Sequence, residues 1–136
     1  MEFKEMEIWV FDKREKSRGN LYVEPLSENE FRMSDNDLLN CRLTKGTEFR
    51  TRINSNGDHE IIKILKDSEF TTRRFLLSPT YKESDYRFLG EELIKQGGFW
   101  QVDFGGILTI NIPEFFEFDV DQVMKELDLK FTEIIE

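Results

Sequence analysis

The sequence predicts an α+β fold: a run of antiparallel strands, then a strand–helix–strand–strand–helix succession. Three observations carry this. Residues 48–76 read as short strands of period two separated by turn residues. The period then lengthens to a helical one at Tyr86, Leu89 and Leu93. Two apolar strands around Gly105-Gly106 lead into a second helical face, Val120, Val123, Met124 and Leu127.

Taken in order, "EIWVF" and "NLYVEPL" are aromatic-bearing strands joined by a charged turn, "DKREKSRGN". "SENEFRMSDND" is loop with one short strand in it. "LNCRL" and "TEFRTRI" flank a turn at Lys45-Gly46. In the second of these, Phe49, Thr51 and Ile53 share one face and Glu48, Arg50 and Arg52 the other, as a strand with one wet side requires. Asn56-Gly57 is the favoured pair for a tight hairpin, because both positions must tolerate positive φ. "HEIIKIL" pairs back, "KDSE" turns, and "FTTRRFLL" is another strand, rich in β-branched and aromatic residues.

Thr80 and Glu83 have the spacing of a capping box, so a helix is predicted over about 82–96, with Gly97 as its left-handed stop. "GFWQVDF" and "ILTINIP" then form a hairpin about a two-residue Gly105-Gly106 turn. In that register Trp100, Val102 and Phe104 share a face, as do Leu108, Ile110 and Ile112. The last helix starts at Asp119, with Phe118 stapled onto Val123. "KFTEII" adds a final edge strand.

The chain has 136 residues, no linker and no repeat, so a single domain over 1–136 is expected. A chain of this length buries roughly two thirds of its unfolded surface and needs no metal or disulfide staple. Net charge is −9, which disfavours nucleic acid and anionic membrane surfaces as partners and suits a basic protein. One cysteine, Cys41, supplies neither an internal disulfide nor a Cys-based zinc site. The acidic "MEFKEMEIWVFD" resembles neither a signal peptide nor a membrane helix, so a reducing cytoplasm is the expected compartment.

No catalytic constellation emerges, and no metal or cofactor is expected. A phosphate loop needs Lys and Ser or Thr after its glycines and then a helix. Here Ile107, Leu108 and Thr109 continue as strand. Asp103-Phe104-Gly105 matches the kinase metal triplet without the other kinase motifs. His59, the only histidine, reads as a surface turn residue; an enzyme pairing it with Cys41 is the weakest functional reading. Asp35 and Asp37 begin like a calcium loop, but Asn40 and Gly46 stand where Gly and Glu are required.

Charge is unevenly spread. Residues 42–74 carry eight basic against five acidic side chains, whereas residues 114–136 carry eight acidic against two basic. The plainer reading is a solvated sheet face laced with ion pairs and an acidic helix start. Two functional readings stand beside it. In the first, Phe115 or Phe116, rimmed by Glu114, Glu117, Asp119 and Asp121, is an exposed anchor for a protein partner. In the second, Arg50, Arg52, Arg73 and Arg74 hold an anion or small ligand in a regulatory domain.

"GDHEIIKILKDSEFTTRRFLL", a helix, "GGFWQVDFGGILTINIP" and a helix opening with Asp-Val-Asp together resemble the bacterial domain-of-unknown-function family 4265, over about residues 49–127. The resemblance implies an antiparallel sheet or partial barrel from the N-terminal two thirds. It also implies a ferredoxin-like β-α-β-β-α half with two helices on one face. It brings no catalytic residues. The expected function is therefore a non-enzymatic protein-binding domain, in its sharper form an immunity-type inhibitor of a basic toxin. The alternative is the anion-binding domain.

Overall fold

In "EFRTRI" the side chains at Phe49 and Thr51 are buried while Arg50 and Arg52 stand in solvent. The same alternation builds a whole sheet. The computed structural model describes residues 5–37, 42–115 and 119–135. It is α+β, with two helices and two sheets of five and four strands. The chain divides into two compact units, Met1–Glu69 and Phe70–Glu136. The first sheet thus ends before Phe70 and draws on half of the chain rather than two thirds.

The first unit contains β1 (Met6–Asp12), β2 (Ser17–Ser27), β3 (Glu30–Met33), β4 (Glu48–Ile53) and β5 (His59–Lys66). Each pairs antiparallel with the next. The ends of the sheet meet at a single parallel bridge, Val10 with His59. Ile8, Leu21, Val23, Phe31, Met33, Leu43 and Phe49 fill the inside, each large apolar side chain contributing about 1.5–3 kcal/mol.

Two turns in this unit depart from the expectation. Ser17 and Arg18 already pair with Asp12 and Phe11, so the charged turn shrinks to residues 13–16, with Lys16 at φ +51°. At the β4–β5 hairpin only Gly57 is left-handed, at φ +82°. The Asn54 side-chain oxygen accepts from the N–H groups of Asn56 and Asp58, at 2.9 and 3.0 Å. That bonding spreads the turn over residues 54–58 and leaves Ile53 half exposed. The result is a type I turn followed by a left-handed glycine, a longer hairpin loop than the tight two-residue turn.

The second unit contains β6 (Phe70–Leu76), α1 (Glu83–Lys95), β7 (Phe99–Asp103), β8 (Ile107–Pro113), α2 (Val120–Glu126) and β9 (Thr132–Ile134). Its strands lie in the order β7-β8-β6-β9, all neighbours antiparallel. Leu89 and Leu93 of α1, and Val120 and Met124 of α2, share one core with Phe75, Leu108, Ile110 and Ile112. Register puts those strand residues on one face, so both helices cover the same side of the sheet.

The start of α1 differs from the expected capping box. The Lys82 N–H donates to the Asp85 carboxylate at 2.7 Å, and the Thr80 hydroxyl instead meets that of Ser78. Its end follows expectation. Gly97 is left-handed at φ +84°, and the N–H groups of Gly98 and Gly97 bond the carbonyls of Leu93 and Ile94. Asp119 caps α2 by accepting from the Gln122 N–H at 3.0 Å. The staple expected of Phe118 lies outside the described residues.

The largest local departure is at the β7–β8 hairpin. Asp103 pairs with Ile107, so the loop is Phe104-Gly105-Gly106. Phe104 and Gly105 both take positive φ, +53° and +68°, and Gly106 donates back to the Asp103 carbonyl. Phe104 therefore leaves the strand face expected for it and stands 88% exposed. This register sets Val102 opposite Leu108 and Trp100 opposite Ile110, so both apolar sets face one core.

Candidate functional site

The acidic end of the second unit begins where β8 runs out. Pro113 is half-buried beside the helix stop at Gly97, and the next two residues turn outward. Glu114 is exposed, and Phe115 is 82% exposed. Phe116 and Glu117 lie outside the described residues. Asp119 is used as the cap of α2, and Asp121 turns its carboxylate to Arg73. An open depression of about 320 Å³ follows on α2 and its exit, lined by Asp121, Met124, Lys125, Asp128, Leu129 and Lys130.

The four arginines of the anion reading lie on β4 and β6. Arg50 bonds the Glu30 carboxylate through Nε and Nη2, at 3.0 and 2.7 Å. Arg52 reaches Glu60 at 3.4 Å. Arg73 donates to both Glu133 and Asp121, at 2.8 and 3.0 Å. Those bonds hold the Arg73 guanidinium above its ordinary range and the Glu133 carboxyl below the usual carboxylate range. Glu30 and Glu60 are likewise held low, Glu30 mainly by Ser27 and then Arg50, Glu60 mainly by Asn54. Arg74, the next residue along β6, points to the opposite face of the sheet and is buried, opposite the fully buried Thr109.

The remaining candidates fall elsewhere. His59 is no loose turn residue. Its Nδ1 sits 2.6 Å from the Thr51 hydroxyl and its ring meets Phe31 edge-on, centroids 5.2 Å apart. Burial lowers its pKa, and the neighbouring Asp58 opposes that shift. Cys41 lies outside the described residues. In the stretch that resembles a calcium loop, the Asn36 side chain accepts from the Lys45 N–H at 3.0 Å. Among the described residues no three His, Cys, Asp or Glu side chains gather as a metal would need, and no helix is long and apolar enough to cross a membrane.

Sequence reasoning missed one surface. On the outside of the β1–β2 ribbon, Glu7 faces Tyr22, Trp9 faces Asn20, and Phe11 faces Arg18. Trp9 and Tyr22 are 43% and 47% exposed. The Arg18 guanidinium lies 4.0 Å from the centre of the Trp9 ring, and its Nε donates to Asp58 at 2.9 Å. Tyr22 hydrogen-bonds Glu7, and that bond, with the nearby charges of Glu7, Asp35 and Glu5, raises its phenol pKa. The alternation of a strand is the one signal in "EIWVF" that puts Glu7, Trp9 and Phe11 on one side; the register that sets Arg18 and Tyr22 beside them was not readable.

No family model matches the chain, and no curated protein matches it. Among solved structures it is similar to one described as a novel crystal structure of a hypothetical protein from Neisseria gonorrhoeae. The TM-score is 0.63 at 12% sequence identity, over 98% of this chain and 95% of that one. At that identity the likeness is one of fold.

Proposed function

We propose that this chain is a non-enzymatic protein-binding domain with a basic partner, in its sharper form an immunity-type inhibitor that covers the basic active site of a toxin. The observation that carries the reading is Phe115, a ring 82% in solvent beside an exposed carboxylate. Burying such a ring against a partner is worth about 1.5–3 kcal/mol. An aromatic anchor rimmed by charge has the composition of an interface hot spot. The net −6 of residues 114–136 would steer a basic protein toward it. Glu114 and Phe115 are the core of this site; Phe116 and Glu117 follow them in the sequence, and Asp119 and Asp121 lie at the start of α2. A cytoplasmic setting goes with the reading.

The alternative, an anion-binding regulatory domain built on Arg50, Arg52, Arg73 and Arg74, has less support. An anion would have to displace Glu30 from Arg50, Glu60 from Arg52, and both Asp121 and Glu133 from Arg73. For the fold, we infer a ferredoxin-like second unit and kinship with domain family 4265. The order β7-β8-β6-β9, with helices after β6 and β8, supports a split β-α-β arrangement.

Co-expression with the products of the neighbouring genes tests the function, a basic one among them being the expected partner. The expected result is co-elution on gel filtration at low salt, lost in Phe115→Ser and in Glu114→Lys. Separate elution of the wild-type proteins would end the proposal.

A further inference from the structure

We propose that the outer face of the β1–β2 ribbon, Trp9 and Tyr22 with Glu7, binds an extended arginine-bearing segment of a protein partner. The ribbon already holds one guanidinium of its own. The Arg18 guanidinium sits over the Trp9 ring and is bonded there by the Asp58 carboxylate. Tyr22 repeats the two parts that hold it: a half-exposed ring, and a carboxylate, Glu7, directly opposite on β1. A planar cation suits both parts at once, since it stacks on the ring and donates in its own plane to the carboxylate. The raised phenol pKa of Tyr22 reports the same negative field, from Glu7 first and then from Asp35 and Glu5.

Dimensions favour a single strand as the occupant. Trp9 and Tyr22 are diagonal neighbours across the ribbon, about 7–8 Å apart. Alternate side chains of an extended segment are about 6.8 Å apart, so one segment can meet both rings. The seven paired positions span about 24 Å, and two strands are about 10 Å wide. That footprint is well short of the roughly 800 Å² per partner that a stable dimer buries, which sets a second copy aside. The carboxylates set nucleic acid aside, because they repel a phosphate backbone.

The proposal shares a cationic partner with the proposed function but uses residues of the first unit only, and none of its variants touches Phe115. The test titrates the whole chain with the peptide Ac-Thr-Arg-Thr-Arg-Thr-Arg-Thr-NH2, and separately with its Glu-for-Arg counterpart. The readout is the Trp9 indole N–H by NMR. A saturable shift with the arginine peptide alone is expected, with affinity about fivefold to tenfold weaker in Tyr22→Ala and in Glu7→Lys. Tyr22→Phe keeps the ring and retains most of the binding; Phe115→Ser binds as wild type. No saturable shift, an equal response to both peptides, or unchanged affinity in the two weakening variants would overturn the proposal. So would a dimer in sedimentation that Trp9→Ser dissociates. If the peptide fails while a Phe115-dependent complex forms, this inference falls and the proposed function stands.

Discussion

Gly90→Ala sets two opposed effects against each other at one atom. Gly90 sits in the middle of α1, where alanine is favoured over glycine by about 1 kcal/mol. On propensity alone the variant should be more stable. The added Cβ, however, would lie 2.5 Å from Nε1 and 2.7 Å from Cδ2 of Trp100, and close to Cε2 as well. Carbon atoms in good contact are about 3.5–4.0 Å apart, so the overlap approaches an ångström across the ring. The ring cannot swing aside freely: it packs against the core and meets Tyr86 edge-on, centroids 6.1 Å apart. Overpacking of this kind costs typically 1–3 kcal/mol. Three ring atoms are struck together, which favours the upper end, so the net loss is about 1–2 kcal/mol. Urea unfolding followed by helical circular dichroism reads the second unit, which carries both helices. A midpoint that rises would refute the packing of α1 on β7. Trp100→Phe should recover part of the loss in the Gly90→Ala background and cost stability alone, a coupling that only direct contact produces.

Three further outcomes are expected. Phe104→Asn should stabilise the β7–β8 hairpin by about 0.5–1 kcal/mol: left-handed φ costs an ordinary L-residue about 1–2 kcal/mol, and the small covered part of the Phe104 ring contributes less than that. A loss above about 1 kcal/mol in urea unfolding would mean the ring is held by contacts. Asp119→Ala should cost about 1 kcal/mol in the same experiment through loss of the α2 cap, and an unchanged midpoint would refute that role. His59 makes stability depend on pH. Its folded pKa lies below the ordinary 6.5, so the unfolded chain binds the extra proton, and stability present above that value is lost as pH falls through the folded pKa. Glu30, Glu60 and Glu133 are held low and lose their contributions only in more acidic solution. A drop in unfolding midpoint as pH falls below about 6.5 should therefore flatten in His59→Gln; a slope that persists would assign it elsewhere.

Local chemistry was legible where one residue type decides the geometry. The inward Phe49 and Thr51, the helix face Tyr86-Leu89-Leu93, the Gly97 stop and the Asp119 cap all follow from short-range rules. Failures came where a group outside the expected motif chose between local options. Gly105-Gly106 satisfies a two-residue turn as written, yet Val102 and Trp100 share the core face only opposite Leu108 and Ile110, a register one residue on, and Phe104 becomes turn. Asn56-Gly57 is a tight-turn pair, but Asn54 captures two N–H groups and widens the loop. A capping box is sought at Ser or Thr, whereas here the reach-back from Asp85 acts without one.

The candidate surfaces were legible to the same extent. The pair Phe115-Phe116 could be singled out, because two adjacent aromatics in an extended segment cannot both face one core, but the sequence did not say which of the two is exposed. That Arg73 of the basic stretch is neutralised by Asp121 and Glu133 of the acidic tail could not be read, since it needs β6, α2 and β9 in register. The Arg18–Trp9 stack likewise depends on which residue of β2 lies opposite Phe11.

Calorimetric titration of this chain with each basic product of the neighbouring genes, at low and at high salt, tests the protein-binding reading most directly. The expected result is a measurable heat at low salt, an affinity that falls as salt screens the acidic end, and a loss of about tenfold or more in Phe115→Ser. Absence of heat, or a complex indifferent to both salt and Phe115, would contradict it.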